Sequence, residues 1–322
     1  MPADGRYDGR AAVVTRVVVK RLLVGVLVMW GAASLIFVIV RAAPGDPATL
    51  LLGPDAAPDQ IRELTAKLGL DRPLPVQYVS YLGDVVRLRF GDSYLFNRPA
   101  MAEVFERMPA TAELMLASTA IAVIAGLTLG LIAGGRPGKV VDRVVSAGTI
   151  ALQSFPTFWS GIMLILIFAL ALRLLPSAGS GTPAHLVLPA ITLALPFTAT
   201  VARLTRTSVA ETMREQYINT ARSKGLTERQ VLLGHALRNS LIPVVTIIGL
   251  HMGGLMGGAV VVENVFAWPG VGTLVVDAVA NRDYTVVQAA TFLVAGIVMI
   301  FNLAADLVYS QLDPRIRLES AA

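Results

Sequence analysis

The sequence contains no cysteine and few charged residues. Without cysteine, disulfide bonds and thiolate metal sites are both excluded. Only 15% of the 322 residues are charged and 55% are hydrophobic, whereas about a quarter of the residues in a soluble domain are charged. The chain is therefore predicted to be an all-α integral membrane protein, a bundle of apolar helices rather than two soluble domains.

The motifs of hydrolytic enzymes and nucleotide-binding proteins are also missing. There is no HExxH and no GxSxG, and the histidines are spread over three regions of the chain. The nearest match to a phosphate-binding loop is AGGRPGKV at 133–140. It has Ala133 in place of the first glycine and Val140 in place of the magnesium-binding hydroxyl. We expect a non-catalytic chain with no metal or cofactor of its own, so that any nucleotide energy must come from another subunit.

Long apolar runs define six candidate membrane spans. The first has no charge over LLVGVLVMWGAASLIFVIV and is longer than the apolar part of a signal peptide, so it is predicted to stay as an anchor. The six spans cover residues 19–40, 113–134, 147–172, 187–204, 241–262 and 286–309.

The basic residues predict the orientation of these spans. Seventeen of the 27 Lys and Arg residues fall in segments on one side, whereas the two short loops on the other side carry one each. Because cytoplasmic loops are rich in Lys and Arg, both termini are expected in the cytoplasm, with the chain crossing the membrane several times. The predicted divisions are a tail 1–18, the first span 19–40, an external insertion 41–112, a membrane core 113–309 with a cytoplasmic loop 205–240, and a tail 310–322.

The external insertion has its own helix signals. PGDP at 44–47 predicts a turn, residues 58–69 an amphipathic helix, and residues 75–88 a second helix that Pro75 starts. Thr111 with Glu113 is expected to cap the second span. The insertion is either a packed lid or a docking surface for an external partner.

Ionisable residues within the spans are too few to indicate an ion-driven carrier or proton pump. His251 lies in the fifth span, where it predicts a helix-to-helix hydrogen bond or a cavity-facing group. Asp306 lies near the end of the sixth span, where an interfacial or interhelical role is expected.

Glycines in the fifth span recur every four residues at 249, 253 and 257. Such rows let helices approach closely in lipid, so tight packing is expected, and Gly253 and Gly257 are also candidates for lining a pathway. Pro189 and Pro196 are expected to bend the fourth span. The last external segment holds Glu263, Phe266 and Trp268, and is interpreted as a gate or an aromatic belt at the membrane surface.

The predicted cytoplasmic loop contains the polar stretch YINTARSKGLTERQVLLGHALRNSLIP, which begins at Tyr217. A helix over 209–224, Gly225, and a capping box at Thr227 and Gln230 predict two short helices, the second ending by Ile242 before Pro243. It could be a solvated loop, a DNA-binding unit or a protein-docking element. Because both ends are tied to membrane spans and no helix has a dense basic face, we expect protein docking and no nucleic acid.

The same stretch closely resembles the cytoplasmic coupling loop of ABC importer permeases, in particular the B-type permease of dipeptide, oligopeptide and nickel importers. The resemblance extends over nearly the whole chain, through PGDP at 44, LGLDRPLPVQYVSYL at 68–82, RMPATAEL at 107–114, VVENVFAWPGVGTLV at 261–275 and NLAADLVYSQLDPRIR at 302–317. RFGDSYLFNRP departs from it, since the family usually shows Gly-Asp-x-Gly-x-Ser at that place.

The resemblance implies the fold of a type I ABC importer permease in the inner membrane of a bacterial cell, and a set of partners. These are a second homologous permease subunit, two ABC ATPase subunits that bind ATP and magnesium, and an external substrate-binding protein that delivers peptides. In register, the residues that would couple the chain to the ATPases are Asn219, Thr220, Ala221, Arg222, Lys224, Gly225, Leu226 and Pro243. Arg222 and Lys224 would face acidic groups of the ATPase. The pathway or gate candidates are His251, Gly253, Gly257, Glu263, Phe266 and Trp268.

Other functions remain open at this point. The same architecture could import nickel chelates or glutathione, because relatives of this kind carry all of these. A membrane sensor or anchor that recruits a cytosolic partner is a further alternative, although the chain shows no soluble output domain.

Overall fold

The computed structural model describes residues 5–42, 57–67 and 69–312. The PGDP turn at 44–47, the side chain of Asp306 and residues 313–322 of the predicted tail lie outside this description. The chain forms two compact units. The first contains residues 1–18, 109–273 and 297–322, and the second contains residues 19–108 and 274–296.

Helices dominate both units, and the all-α prediction is confirmed. We number them in chain order. The elements are α1 (Gly5–Ala42), α2 (Pro58–Lys67), α3 (Leu74–Val86), β1 (Asp92–Ser93), β2 (Arg98–Pro99), α4 (Ala100–Gly134), α5 (Val140–Ser154), α6 (Thr157–Leu164, continued by a π-helical stretch Ile165–Ala171), α7 (Pro183–Thr212), α8 (Gln216–Ser223), α9 (Glu228–Val231, continued by a π-helical stretch Leu232–Ala236), α10 (Leu237–Val265), α11 (Val271–Ala280) and α12 (Tyr284–Leu312).

Four helices of the described residues are long and apolar enough to cross a membrane, and two bent pairs raise this number to as many as six. The four are Arg21–Ala42, Ala100–Gly134, Pro183–Thr212 and Tyr284–Ala305. The bent pairs are Val140–Ser154 with Thr157–Ala171, at 104°, and Pro243–Gly249 with His251–Val265, at 51°.

The predicted third span over 147–172 therefore falls on a bent pair of helices and not on one straight helix. Phe155 is extended, with ψ of 134°, and Pro156 precedes the first residue of α6. The proline ring disfavours helical backbone at the residue before it, so the chain turns sharply here. By contrast, α7 continues as helix through both Pro189 and Pro196.

Two other helix ends differ from the predictions. The second span begins at Ala100, well before residue 113, so Thr111 lies inside a helix and does not cap it. The second helix of the polar stretch does not end before Pro243 but continues into α10. Proline is tolerated within membrane helices because neighbouring groups can satisfy the backbone atoms that it frees.

The core of the first unit forms around α7, whose residues are buried along much of its length. One apolar cluster joins α4 to α7 and α10 and contains Ala122, Ala194, Phe197, Val201 and Val244. Burial on several sides is unusual for a helix that only faces lipid. We infer that α7 is the helix against which its neighbours pack.

A row of glycines brings α4 close to α7. A Cβ at Gly126 would lie 2.6 Å from Val201 Cβ, and one at Gly130 would lie 2.5 Å from Thr205 Cβ. At Gly134 the corresponding distance to Val209 Cβ is 2.8 Å. Three glycines spaced by four residues therefore leave room for three branched side chains of α7, a small-residue contact typical of membrane helices.

The second unit joins the end of α1 to α3 and to the start of α12. Phe37 contacts the rings of Tyr78 and Tyr81, with centroids 5.3 and 5.4 Å away. The hydroxyl groups of Ser34 and Tyr78 are 2.6 Å apart. The predicted helices of the insertion are present as α2 and α3, each shifted by no more than two residues at either end.

The two-stranded hairpin of β1 and β2 was not predicted. It falls within RFGDSYLFNRP, the stretch that departs from the family pattern. Gly91 has φ of +88°, a conformation that favours glycine, and Ser93 Oγ donates to buried Asp283 Oδ2 at 2.5 Å. The hairpin is thus fixed by a hydrogen bond across 190 residues of sequence.

We predict that Gly130→Ala lowers the midpoint of thermal unfolding of the detergent-solubilised chain. The added Cβ would lie 2.5 Å from Thr205 Cβ and 2.7 Å from the carbonyl oxygen of Ala202, so α4 and α7 must separate, at a cost of about 1–3 kcal/mol. The matched control is Gly148→Ala in α5, where a Cβ meets nothing within 4 Å. Equal midpoints for the two variants would contradict the close contact.

Candidate functional site

The polar stretch folds as a helical hairpin, residues 216–236, between α7 and α10. α8 ends at Ser223, Gly225 has φ of +86°, and α9 begins after Thr227. The predicted capping box is confirmed, since Gln230 N donates to Thr227 Oγ1 and Thr227 N donates to Gln230 Oε1. The positive φ at the turn is a conformation that glycine adopts without strain.

Only part of the predicted helix over 209–224 belongs to the hairpin. α7 ends at Thr212, and Glu215 is extended with ψ of 146°, so α8 is a separate helix from Gln216. The two helices of the hairpin enclose a small apolar core of Ile218, Ala221 and Val231. Met213 and Leu226 cover this core, which gives the hairpin a fixed shape of its own.

An ion pair also joins the two helices of the hairpin. Arg222 Nε donates to Glu228 Oε1 at 2.7 Å and Arg222 Nη2 donates to Glu228 Oε2 at 3.3 Å. The hydrogen bond from Arg222 lowers the pKa of the Glu228 carboxyl group. Arg222 Nη1 also donates to Asn219 Oδ1 at 3.4 Å. The guanidinium of Arg222 is therefore engaged within the hairpin.

The structure divides the predicted coupling residues into three groups. Asn219, Thr220, Lys224 and Gly225 are exposed on the hairpin together with Arg222, whereas Ala221 is buried and Leu226 half-buried. Pro243 lies apart from them, inside α10. The exposed residues on α8 and its turn form a surface that a partner can reach, and Ala221 and Leu226 support it from inside.

A bidentate ion pair fixes the membrane helices next to the hairpin. Arg206 Nε and Nη2 each donate to the carboxylate of Asp142 at 2.8 Å, and Gly138 N donates to Asp142 Oδ2 at 2.8 Å. The end of α7 is thus tied to the start of α5. Sequence reasoning missed this pair, and the only available signal was an acidic residue in the first turn of a helix after the Gly135–Gly138 turn.

The predicted gate residues Glu263, Phe266 and Trp268 lie in a buried turn, residues 263–273, which we call the Glu263 turn. The carboxyl group of Glu263 accepts hydrogen bonds from Thr111 Oγ1 at 2.7 Å, Gly272 N at 2.7 Å and Thr273 N at 3.2 Å. Trp268 Nε1 donates to the carbonyl oxygen of Ala110 at 2.9 Å. The turn is therefore bound to α4 by Glu263 and Trp268 together.

The remaining gate candidates lie on α10 in different surroundings. His251 stacks on Phe197, with ring centroids 3.7 Å apart. A Cβ at Gly253 would lie 3.1 Å from Asn302 Oδ1 of α12, so this glycine serves helix packing. A Cβ at Gly257 meets nothing within 4 Å. Of the three, Gly257 is the one that opens onto free space in the described part of the chain.

Comparisons with known proteins identify the family of the chain. Residues 126–318 match the family model "Binding-protein-dependent transport system inner membrane component", and residues 14–115 match the model of the N-terminal part of such membrane components. The chain is 38% identical over 308 residues to the peptide ABC transporter permease protein y4tP of Sinorhizobium fredii, covering 93% of this chain and 98% of the relative. It is 40% identical over 300 residues to the glutathione transport system permease protein GsiC of Escherichia coli, with the same coverage.

A peptide permease protein of Brucella suis is 39% identical over 316 residues, covering 94% of this chain and 99% of the relative. Among solved structures, an inward-facing conformation of the MetNI methionine ABC transporter matches with a TM-score of 0.56 at 20% identity. That match covers 66% of this chain and 97% of the solved chain, and at this identity it shows the fold alone.

We predict that the midpoint of thermal unfolding is highest for the wild type, lower for Glu263→Gln and lowest for Glu263→Leu. Leucine offers no acceptor to Thr111, Gly272 and Thr273, and burying these donors without partners costs about 3–5 kcal/mol. Glutamine keeps one oxygen for the two backbone donors and can donate to Thr111, so its cost is about 1 kcal/mol. Thermal unfolding in detergent measures the order, and equal midpoints for the two variants would contradict the role of the acceptor.

Proposed function

Because the chain belongs to the family of binding-protein-dependent transport system inner membrane components, we propose that it forms half of a peptide pathway in an ATP-driven importer. The expected fold of a type I ABC importer permease is confirmed by this membership, and the chain is a multi-pass membrane transport component. In this proposal the subunit lines the pathway and changes conformation, and it makes or breaks no covalent bond.

Di- or oligopeptides are the proposed cargo, delivered by a substrate-binding protein on the outer side. Two relatives of 38% and 39% identity are peptide permeases by name, which supports this assignment. Glutathione is the second candidate, because a relative of 40% identity is a glutathione permease and glutathione is itself a short peptide.

Energy is proposed to enter through the hairpin. Two ATPase subunits would bind ATP and magnesium and close on each other, and each would carry a docked hairpin with it. The single observation that carries this proposal is the construction of the hairpin, which has its own apolar core, an exposed outer surface and direct covalent connection to α7 and α10. A rigid element that joins two helices can shift a bundle between two packings when a partner binds one of them better.

The proposed orientation places the hairpin and both termini in the cytoplasm, on the basis of the 17 Lys and Arg residues in the segments on that side. The other half of the pathway is proposed to be a second, homologous permease. Gly254, Gly257 and Val261 are exposed along one face of α10, and the two glycines of this strip suit close contact with another helix or with cargo. His251, Gly253 and the Glu263 turn are proposed to position this strip.

Uptake by the reconstituted importer tests the function directly. The chain is copurified with its ATPase and permease partners, inserted in liposomes, and supplied with a binding protein and labelled dipeptides, oligopeptides, glutathione or a nickel chelate. We expect uptake of peptides that requires ATP on the side of the membrane that the ATPase subunits face. Uptake that persists when ATP hydrolysis is blocked and collapses with an ion gradient would contradict the proposal. Copurification with no ATPase would favour a sensor or anchor.

A charge exchange tests how Arg222 contributes to coupling. Arg222→Glu places a carboxylate beside Glu228, so we expect a looser hairpin and peptide uptake reduced roughly threefold, the scale of an exposed ion pair. Arg222→Glu combined with Glu228→Arg restores the pair within the hairpin and should restore uptake. If the double variant transports no better than the single one, Arg222 acts instead on an acidic group of the ATPase.

A further inference from the structure

A polar cavity lies in the second unit, between the end of α1, α3 and the start of the β-hairpin. Its volume is about 360 Å³. The polar side chains that line it include three arginines, two uncharged groups and one carboxylate: Arg41, Arg72, Arg89, Gln77, Tyr81 and Asp84. None of these residues takes part in the hairpin or the Glu263 turn.

Three of the four buried side-chain polar atoms without a hydrogen-bond partner in the described part of the chain line this cavity. They are Arg41 Nε, Gln77 Oε1 and Tyr81 Oη. Buried polar groups nearly always find a partner in folded proteins, so their concentration at one cavity points to a ligand.

The orientation of the Gln77 amide is fixed by the protein. Gln77 is 9% exposed, and its Nε2 donates to the carbonyl oxygens of Leu70, at 3.0 Å, and Arg72, at 2.7 Å. With both donors used in this way, Oε1 is left as an acceptor. Burial raises the pKa of Tyr81 to about 12, so its hydroxyl group keeps its proton and can donate.

The charges of the cavity favour an anion that also carries a hydrogen-bond donor. Three guanidinium groups outnumber one carboxylate, and no ion pair joins Asp84 to these arginines among the described residues. Arginine forks match phosphate oxygens. Gln77 Oε1 and Asp84 then remain as acceptors, and the negative charge of Asp84 favours an ammonium group next to the phosphate.

The position of the cavity identifies the source of such a group. Arg41 lies in the last turn of the candidate span Arg21–Ala42, at the level where a membrane helix meets water. The same helices expose apolar side chains, with Val38 59% exposed on α1 and Val79 68% exposed on α3. Acyl chains can therefore lie beside helices whose polar ends form the cavity.

We propose that this cavity binds the headgroup of a membrane phospholipid that has a phosphate and an adjacent N–H donor, as in phosphatidylethanolamine. The phosphate is held by Arg41, Arg72 and Arg89 with the hydroxyl of Tyr81. The ammonium group donates to Gln77 Oε1 and Asp84. The lipid then holds α1 and α3 together at the membrane surface, a role separate from the proposed transport function.

The test is native mass spectrometry of the complete transporter, delipidated in detergent and titrated with phosphatidylethanolamine or with phosphatidylcholine. Phosphatidylcholine has the same phosphate but no headgroup N–H, so we expect it to bind about fivefold more weakly. Inorganic phosphate and glycerophosphoethanolamine are added as competitors to separate a lipid from a free phosphate. Competition by either at the concentration of the lipid would overturn the assignment to a lipid.

Variants tie the binding to the cavity. Arg89→Gln should weaken phosphatidylethanolamine binding about tenfold, and Tyr81→Phe, which removes a hydroxyl without a protein partner, about threefold. The matched control is Arg87→Gln, an exposed arginine two residues away that does not line the cavity. Thermal unfolding of the lipid-free variants checks that each folds. If Arg89→Gln and Arg87→Gln bind the lipid equally, the proposal is wrong.

Discussion

The close contact between α4 and α7 is the constraint on which the first unit depends. Three glycines of α4, at 126, 130 and 134, leave space for Val201, Thr205 and Val209 of α7. Since lipid tails are as apolar as leucine, two membrane helices gain from association chiefly through such close packing. Within the same stretch of α7, Arg206 ties the helix to Asp142 of α5, so the hairpin begins from a fixed point.

Features that depend on neighbouring residues could be predicted from the sequence. Hydropathy located four of the six predicted spans in single long apolar helices, because an apolar run of sufficient length is a property of one segment. The capping box at Thr227 and the glycine at 225 were also predictable, since both act within a few residues. The hairpin as a unit was therefore predictable before any contact was known, through its sequence pattern and its resemblance to a known loop.

Features that depend on distant contacts could not be predicted in the same way. The hydrogen bond from Thr111 to Glu263 spans 152 residues, and it gives a role inside α4 to a threonine that was predicted to cap the helix. Likewise, the ion pair between Arg222 and Glu228 depends on the turn at Gly225, which brings the two side chains together. The Glu263 carboxyl group, expected at a gate, is an acceptor that holds a turn against α4, so a polar residue near a membrane surface need not touch cargo.

The π-helical stretch Leu232–Ala236 between α9 and α10 affects how the hairpin is rotated about the axis of α10. A π-helical turn holds one residue more than an α-helical turn, and each residue of an α-helix accounts for a rotation of about 100° around its axis. The extra residue therefore sets the direction in which the exposed side of α8 points around the axis of α10. A variant that lacks this extra residue would present the exposed residues of α8 to a different side of α10.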